Sequence, residues 1–167
     1  MDEQRDVTSF GELYRTYSAG VYRYALALTA GRRHDAEDLV SETFLRVWNS
    51  PQALRLTTVR SYLMAITRNL FLEGLRKKRR ESPLDFDVAD TSDLMRDSES
   101  RQQWEALRKA LPLLKDEHRE PLLLQAWAGL SYTEISAILQ VPVATLKVRV
   151  HRARLELARL IDREVHQ

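Results

Sequence analysis

The feature that constrains this chain most is the stretch from Gly129 to Arg154, GLSYTEISAILQVPVATLKVRVHRAR. Ser131 and Glu134 form an S-x-x-E pattern, in which each residue bonds the backbone amide of the other at a helix start. The apolar residues that follow share one face of a two-turn helix, namely Ile135, Ile138 and Leu139. Pro142 then ends that helix and suits the first turn of a new one. The pattern predicts two helices joined by a tight turn.

The second of these helices is expected from about Val143 to about Ile161. Its spacing buries one stripe, made of Leu146, Val150, Ala153 and Leu157. The other side is basic, with Lys147, Arg149, His151, Arg152 and Arg154. A short capped helix followed by a basic second helix indicates a helix-turn-helix, whose second helix enters the major groove of DNA. The alternative is a helical hairpin whose basic face only meets solvent.

Composition limits the remaining possibilities. The 167 residues are 44% hydrophobic and carry a net charge of +2, which suits one medium domain or two small ones. There is no cysteine, so disulfides and thiolate metal sites are excluded. The polar, acidic start is not a signal peptide, and no apolar run approaches the length of a membrane span. We therefore expect a cytoplasmic location. Because helical periodicity dominates, we expect an all-α fold of two small helical domains, without cofactor or metal.

Two amphipathic helices are expected near the N terminus. Apolar residues recur every three or four positions from Phe10 to Leu28, and Gly31 ends that helix. The second helix, with Asp35 as its expected N-cap, buries Ala36, Leu39, Val40, Phe44 and Val47. Its other side shows Asp38, Ser41, Glu42, Leu45 and Trp48. Such a mixture is typical of a protein-binding surface. Packing of Leu45 and Trp48 on a neighbouring helix is the alternative.

A loop from Pro51 to Thr58 leads to another helix, VRSYLMAITRNLFLEGLRKKRR. Its expected buried stripe is Val59, Leu63, Ile66 and Leu70, with Met64, Phe71, Leu72 and Leu75 on the far side among arginines. Basic groups interleaved with apolar ones suit single-stranded nucleic acid. A helix buried on two sides, with a solvated basic end, fits the same pattern. Both interpretations stay open on the residues alone.

The residues from Glu81 to Ser100 break the pattern, because they are acidic, serine-rich and without helical period. We interpret them as a linker between two domains. A stripe of Trp104, Leu107, Leu111 and Leu114 follows. The next helix contains Pro121, so we expect it to begin near His118 or Arg119 and to have Gly129 at its C-cap position. With the helix-turn-helix, these helices make a four-helix unit.

Three segments, in their order along the chain, resemble those of a bacterial RNA polymerase sigma factor of the extracytoplasmic-function (ECF) group. DAEDLVSETFLRVW (35–48) is similar to the polymerase-binding helix of that family, and SYLMAITRNLFLEGLRKKRR (61–80) to the helix that opens and reads the minus-ten promoter element. The stretch from Leu111 to Arg154 resembles the module that reads the minus-thirty-five element. The resemblance implies an N-terminal module at 5–80, a linker at 81–100 and a C-terminal module at 101–167. It covers most of the chain, and three segments in order are more specific than a helix-turn-helix alone.

The resemblance also implies three sets of site residues. The polymerase face, which should meet the clamp helices of the largest polymerase subunit, is Asp38, Ser41, Glu42, Leu45 and Trp48. The minus-ten set is Arg60, Arg68, Asn69, Arg76, Lys77, Arg79 and Arg80; in it, Asn69 should hold a flipped base and the loop 51–58 should form a wall of the base pocket. The minus-thirty-five set is Thr145, Lys147, Val148, Arg149, His151, Arg152 and Arg154, with Arg149 and Arg154 better placed for phosphates.

The implied partners are core RNA polymerase, including its flap, promoter DNA in duplex and single-stranded form, and an anti-sigma factor. No enzymatic activity is implied. Two residues depart from the family pattern. Gln140 replaces a usual glycine, so the turn must avoid or tolerate a positive φ. Val148 replaces a small polar residue, and it can contact a thymine methyl group but cannot hydrogen-bond a base.

Two other functions remain to be compared. A LuxR-type regulator has a similar helix-turn-helix but would carry a receiver or ligand domain upstream, and the first 80 residues show no strand pattern and no phosphoacceptor motif. A metal-dependent hydrolase built on His34 and Asp35 would need a second histidine at ligand spacing, which the sequence lacks.

Overall fold

The structure, a computed structural model, describes residues 2–50, 58–81 and 98–166. In the N-terminal module, α1 is Asp2–Leu28, α2 is Arg33–Asn49 and α3 is Val59–Glu81. In the C-terminal module, α4 is Ser98–Ala110, a single 3-10 turn is Leu111–Leu113, α5 is Asp116–Ala126, α6 is Tyr132–Leu139 and α7 is Val143–Val165. The described residues contain no strand, which confirms the all-α prediction.

The core of the N-terminal module lies where α1, α2 and α3 meet. Val21, Tyr24, Phe44 and Leu63 are all buried there. The expected end of α1 is confirmed, since Gly31 takes a φ of 84° and its amide donates to the carbonyl of Leu26 at 2.9 Å. Positive φ favours glycine because it has no Cβ. The packing of these three helices fixes which side of α2 faces outward.

One expectation for this module is wrong in detail. Asp35 is not the N-cap of α2, because the helix begins at Arg33, with Arg32 as N-cap and no side-chain cap bond. Asp35 lies in the first turn instead and pairs with Arg32 Nε at 3.1 Å and Lys78 Nζ at 3.5 Å. Met64 lies on the far side of α3 as expected and is 1% exposed, which fits the alternative of a helix buried on two sides. It is buried because α1 covers that side of α3: a Cβ on Gly20 would stand 3.8 Å from Met64 Cε.

The C-terminal module follows its predicted helices with shifted boundaries. The linker was expected to reach Ser100, yet α4 begins at Ser98. Helix α5 begins at Asp116, two residues earlier than expected, and includes the buried Pro121. The acidic first turn suits the positive end of the helix dipole, which helps the helix to start before the proline. The helix ends at Ala126 with Trp127 as C-cap, and Gly129 forms the following turn at a φ of 69°.

The helix-turn-helix has the predicted local structure. The amide of Ser131 donates to Glu134 Oε2 at 2.8 Å, and the amide of Glu134 donates to Ser131 Oγ at 3.2 Å, so the capping box is complete. Gln140 takes the left-handed conformation, with φ 56° and ψ 43°, and its side-chain amide donates to the carbonyl of Ala137 at 2.7 Å. The turn therefore tolerates a positive φ without glycine. All four residues of the expected α7 stripe are buried, namely Leu146, Val150, Ala153 and Leu157.

The two modules contact each other directly. Helix α3 packs near α6, and α1 packs near α5. Polar contacts cross the boundary between the described residues. Arg68 Nη2 lies 2.9 Å from Glu120 Oε2, and Thr58 Oγ1 donates to Glu134 Oε1 at 2.9 Å. The sequence left open whether the modules lie apart or together, and in this structure they pack against each other.

Candidate functional site

The polymerase face lies on the outward side of α2. All five of its residues are exposed, and Leu45 and Trp48 are 57% and 46% exposed. The opposite side of the same helix is buried, with Ala36, Val40, Phe44 and Val47 in the core and Leu39 half-buried. The helix thus presents an indole and a leucine beside the carboxylates of Asp38 and Glu42. This arrangement can bury apolar area against a partner while charge at its edge sets orientation.

The indole of Trp48, the aromatic part of this face, packs against α1. The Trp48 ring meets the Phe10 ring edge to face, with centroids 4.9 Å apart, and Phe44 lies 4.8 Å from Tyr14 in the same manner. The alternative of intramolecular packing therefore holds in part for Trp48, which rests on α1 with one side. Its other side and most of Leu45 remain available. Side chains fixed in this way lose little conformational entropy on binding.

The structure divides the minus-ten set into two groups. Six members are exposed along α3, namely Arg60, Asn69, Arg76, Lys77, Arg79 and Arg80. Four of these stand at the C-terminal end of the helix, where positive charge also suits the helix dipole. Lys78, in the same basic run, contacts Asp35 of α2 at 3.5 Å. The expected loop wall of the base pocket falls on residues 51–57, outside the described residues, and only Thr58 can be placed.

Arg68 is the seventh member, and it is half-buried. Its ion pair with Glu120 of α5 leaves the two side chains only 20% and 26% exposed. Tyr24 of α1 lies beside the pair and is fully buried, and this burial raises the pKa of its hydroxyl above the ordinary value, opposed by the nearby Arg68 charge. A phenol in this position stays neutral at any physiological pH. Arg68 is thus committed to a contact between the modules.

Glu134 has two roles that meet at the same boundary. One carboxylate oxygen completes the capping box of α6, and the other accepts from Thr58 at 2.9 Å. Desolvation works against its ionised form, yet hydrogen bonds from the Ser131 amide and from the hydroxyls of Thr58, Ser61 and Ser131 lower its pKa below the ordinary value. A carboxylate that accepts several hydrogen bonds is stabilised as the anion. The start of the helix-turn-helix is therefore tied to the start of α3.

The minus-thirty-five set lies on the outward side of α7. Thr145, Lys147, Val148, His151, Arg152 and Arg154 are exposed, while Arg149 is half-buried. Two of the arginines are directed toward α5: Arg149 Nη2 lies 3.7 Å from Glu117 Oε2, and Arg154 Nη2 donates to Gln125 Oε1 at 2.7 Å. Lys147 Nζ stands 5.9 Å from the ring centre of Tyr132, within cation–π range. The basic side of α7 is thus organised by neighbours on α5 and α6.

Three residues at the module boundary were missed by the sequence reasoning as partners of the minus-ten helix: Thr58, Glu120 and Glu134. Glu134 was recognised only as a capping residue, and Thr58 only as the end of a loop. Glu120 precedes a proline in a run of charged residues, and nothing in that run indicates a distant partner. No local pattern identifies a pair separated by 52 positions, so this contact could be found only from the fold.

The residues considered for a metal-dependent hydrolase do not form a metal site. His34 is exposed, and Asp35 is engaged with Arg32 and Lys78. In the part of the chain that the structure describes, no group of three or more His, Cys, Asp or Glu side chains is arranged to hold a metal ion. In the same residues, no helix has the length and apolar character needed to cross a bilayer.

Two family models match the chain, and they match its two modules separately. Sigma-70 region 2 matches residues 13–81, and Sigma-70, region 4 matches residues 104–157. The first match contains the polymerase face and the minus-ten set. The second contains the minus-thirty-five set.

Individual relatives match nearly the whole chain. ECF RNA polymerase sigma factor SigE of Mycolicibacterium smegmatis is 38% identical over 93% of this chain, and the chain spans 62% of that relative's length. ECF RNA polymerase sigma factor SigM of Bacillus subtilis is 30% identical over 93% of this chain and 96% of the relative. Among solved structures, the sigma factor RpoE from Bartonella quintana, in complex with the anti-sigma factor NepR, is similar with a TM-score of 0.75 and 26% identity, over 92% of this chain and 97% of that one.

Proposed function

The chain belongs to the ECF group of RNA polymerase sigma factors, and from that membership we propose that it binds core RNA polymerase and directs promoter-specific initiation of transcription. The observation that carries this proposal is the separation of the two matches: a region 2 module with an exposed apolar and acidic helix face, and a region 4 module with a basic recognition helix. A LuxR-type regulator is not favoured, because residues 13–81 match Sigma-70 region 2.

The polymerase face is the proposed contact with the clamp helices of the largest polymerase subunit. Leu45 and Trp48 supply the apolar area, and Asp38 and Glu42 supply charge at the edge. Central aromatic residues carry much of the binding free energy at protein interfaces, whereas exposed rim charges affect association rate and orientation more. The flap of the polymerase is the proposed partner of the C-terminal module.

The minus-ten set is the proposed contact with the minus-ten element, both with its melted strand and with the duplex upstream of it. Asn69 holds a flipped base, and Arg76, Lys77, Arg79 and Arg80 lie along the phosphates of the upstream duplex. Extruding a base costs a few kcal/mol of stacking and pairing, which the contacts of this set offset. Each phosphate contact adds about 0.7 to 0.9 to the slope of log affinity against log salt. The protein itself makes and breaks no covalent bond in this scheme.

The minus-thirty-five set is the proposed reader of the upstream element. Lys147, Val148, His151 and Arg152 face the major groove, with Val148 suited to a thymine methyl group and Arg152 to a base edge. Arg149 and Arg154, which are held toward α5, are suited to phosphates. Because polymerase and promoter are cytoplasmic in bacteria, the cytoplasm is the proposed location. An anti-sigma factor is a proposed partner, since the similar RpoE structure contains one.

Run-off transcription tests this function. Purified protein is added to core RNA polymerase on a library of promoter templates, and new start sites are sequenced. We expect a set of start sites that share two upstream elements and that are absent with core enzyme alone. Co-elution with core polymerase in size-exclusion chromatography is the companion measurement. Absence of both co-elution and new start sites contradicts the proposal, whereas promoter binding without co-elution restores the LuxR-type alternative.

A further inference from the structure

Two arginines of the minus-thirty-five set are directed toward α5, and their partners differ in charge. Arg154 Nη2 donates to Gln125 Oε1 at 2.7 Å, so its partner is a neutral amide. Arg149 Nη2 lies 3.7 Å from Glu117 Oε2, so its partner is a carboxylate. Among the described residues of the C-terminal module, Arg149 is the member of this set that forms an ion pair. Its positive charge is therefore balanced by a carboxylate, whereas Arg154 keeps its charge beside an amide.

The carboxylate of Glu117 is positioned by the packing of α5 against α7. Its Oε1 lies 3.8 Å from His118 Nε2, so the two oxygens of Glu117 face different neighbours, His118 and Arg149. The His118 side chain is only 12% exposed, and its Nδ1 lies 3.8 Å from Glu156 Oε2 of α7. Arg149 and Glu156 are about two helix turns apart, so α5 meets the same side of α7 at both points. This packing holds Glu117 beside Arg149.

A DNA phosphate that binds Arg149 must replace Glu117. The side chains of Arg149 and Glu117 are 29% and 52% exposed, so solvent reaches the pair and its net strength is small. A phosphate held at a fixed short distance can replace the carboxylate, because arginine and phosphate form paired, charge-assisted hydrogen bonds. A phosphate of a duplex that slides along α7 without a fixed register forms no such paired contact, so it does not offset the loss of Glu117.

These two situations correspond to an unrelated sequence and to the correct upstream element. Sequence-independent binding depends almost entirely on phosphates and lets a protein slide along the duplex. On the correct element, contacts from Val148 and Arg152 to base edges hold α7 in one register, and the phosphate near Arg149 stays in place. A carboxylate beside Arg149 therefore weakens the wrong complex more than the right one, which is one of the two ways to gain specificity.

We propose that Glu117 is a specificity-determining residue for the upstream promoter element, without reading a base itself. It withholds Arg149 from the phosphates of unrelated sequences and releases Arg149 when α7 is seated on the correct element. This inference rests on the proposed function. It assigns part of the discrimination to a carboxylate on α5, outside the minus-thirty-five set.

The salt dependence of promoter binding tests this role, with the full chain assembled on core polymerase and the pH held constant. Two fluorescent promoter fragments are used: one carries the upstream element selected in the run-off library, and in the other only that element is shuffled. Core polymerase and the minus-ten contacts are common to both fragments, so their contributions cancel when variants are compared. The slope of log affinity against log salt reports the number of phosphate contacts, at about 0.9 for each.

Glu117→Gln gives Arg149 the kind of partner that Arg154 has. On the shuffled fragment we expect its salt slope to rise by about 0.9 over wild type, which is about eightfold tighter binding at about 0.1 M salt if both proteins bind equally at about 1 M. On the intact fragment the slope should stay the same, because Arg149 already binds phosphate there. Affinity for the intact fragment should rise only about twofold, through the lost ion pair. The preference for the intact fragment should therefore fall about fourfold.

Two further variants complete the comparison. Arg149→Gln should lower the slope on the intact fragment by about 0.9 and leave the slope on the shuffled fragment unchanged. The double variant Glu117→Gln/Arg149→Gln should have the slopes of Arg149→Gln on both fragments. Asp116→Asn is the matched control, because it removes the same charge one position earlier, from a carboxylate that pairs with Arg119 of its own helix. It should leave both slopes and the preference unchanged.

An unchanged slope of Glu117→Gln on the shuffled fragment would overturn the inference, and so would an equal loss of preference in Asp116→Asn. A higher slope on the shuffled fragment in the double variant than in Arg149→Gln would also overturn it, because Glu117 would then act through another cation. Wild-type run-off transcription from both fragments separates these results from the proposed function. If the wild type favours the intact fragment, they reject the role of Glu117 alone. If the wild type uses both fragments equally, or neither, the proposed reading of the upstream element has itself failed.

Discussion

Replacing Trp48 by alanine should weaken core polymerase binding far more than it weakens the fold. Trp48 is 46% exposed. A tryptophan side chain has about 250 Å² of surface, so roughly 115 Å² is free to be buried by a partner. At about 25 cal/mol per Å², this area corresponds to about 3 kcal/mol, or a loss in affinity of about a hundredfold if the partner covers it fully.

The cost to the isolated protein should be smaller. The buried side of the indole packs edge to face on Phe10, with centroids 4.9 Å apart, and such a pair is worth about 0.5 to 1.5 kcal/mol beyond its area. Fluorescence anisotropy of labelled protein titrated with core polymerase measures the affinity, and urea unfolding measures the stability. Val148→Ala, which trims an exposed apolar side chain on α7, is the control and should leave core binding unchanged without DNA. An unchanged affinity for Trp48→Ala would refute the polymerase face, and a loss of more than about 3 kcal/mol of stability would make Trp48 a core residue instead.

Three further predictions concern the C-terminal module. Arg152→Ala should cost about 1 to 3 kcal/mol of discrimination at one base pair of the upstream element, measured by competition binding with single-base variants of the DNA. Arg154→Ala should instead weaken binding to all sequences equally and lower the slope of log affinity against log salt by about 0.9. The same uniform loss of affinity for Arg152→Ala would make Arg152 a phosphate contact. Gln140→Gly should raise the free energy of unfolding by about 0.5 to 1 kcal/mol in urea titrations, because glycine removes a left-handed cost of about 1 to 2 kcal/mol but is more flexible when unfolded; a decrease would show that the Gln140 side-chain bond outweighs the strain. The lowered pKa of Glu134 means that its contribution to stability is present above its ordinary pKa of 4.5 and is lost as the pH falls through its lower folded value. As the pH is lowered from 6 to below that folded value, the melting temperature should therefore decrease less in Glu134→Gln than in wild type. Parallel curves of melting temperature against pH would contradict this.

The helix-turn-helix was predictable because its signals are local. The capping box needs two residues three positions apart, and the buried stripe of α7 needs only a repeat of three and four. Both were confirmed at the named residues. The outward position of Leu45 and Trp48 follows from the same periodicity, since the other side of α2 is the more apolar. The N-cap of α2 was not predictable in the same way, because a helix can begin without a side-chain cap. Arg32 is the N-cap here, and Asp35 is not.

Periodicity was insufficient where a helix meets neighbours on two sides. The repeat of α3 allowed either a nucleic-acid surface or burial on both sides, and parts of each interpretation hold. Met64 is buried under α1, and Asn69 and the basic end are exposed. The choice depends on where a helix some 40 positions earlier in the chain packs, which no window of the sequence contains.

By itself, the sequence determined the helices, the two modules and the chemistry of the three residue sets, because helix periodicity, capping and charge act over a few neighbouring residues. Only the tertiary structure decided that Arg68 faces Glu120, that Thr58 reaches Glu134 and that Arg154 is held by Gln125. These pairs are separated by 29 to 76 positions, and the packing of the helices brings them within hydrogen-bonding distance.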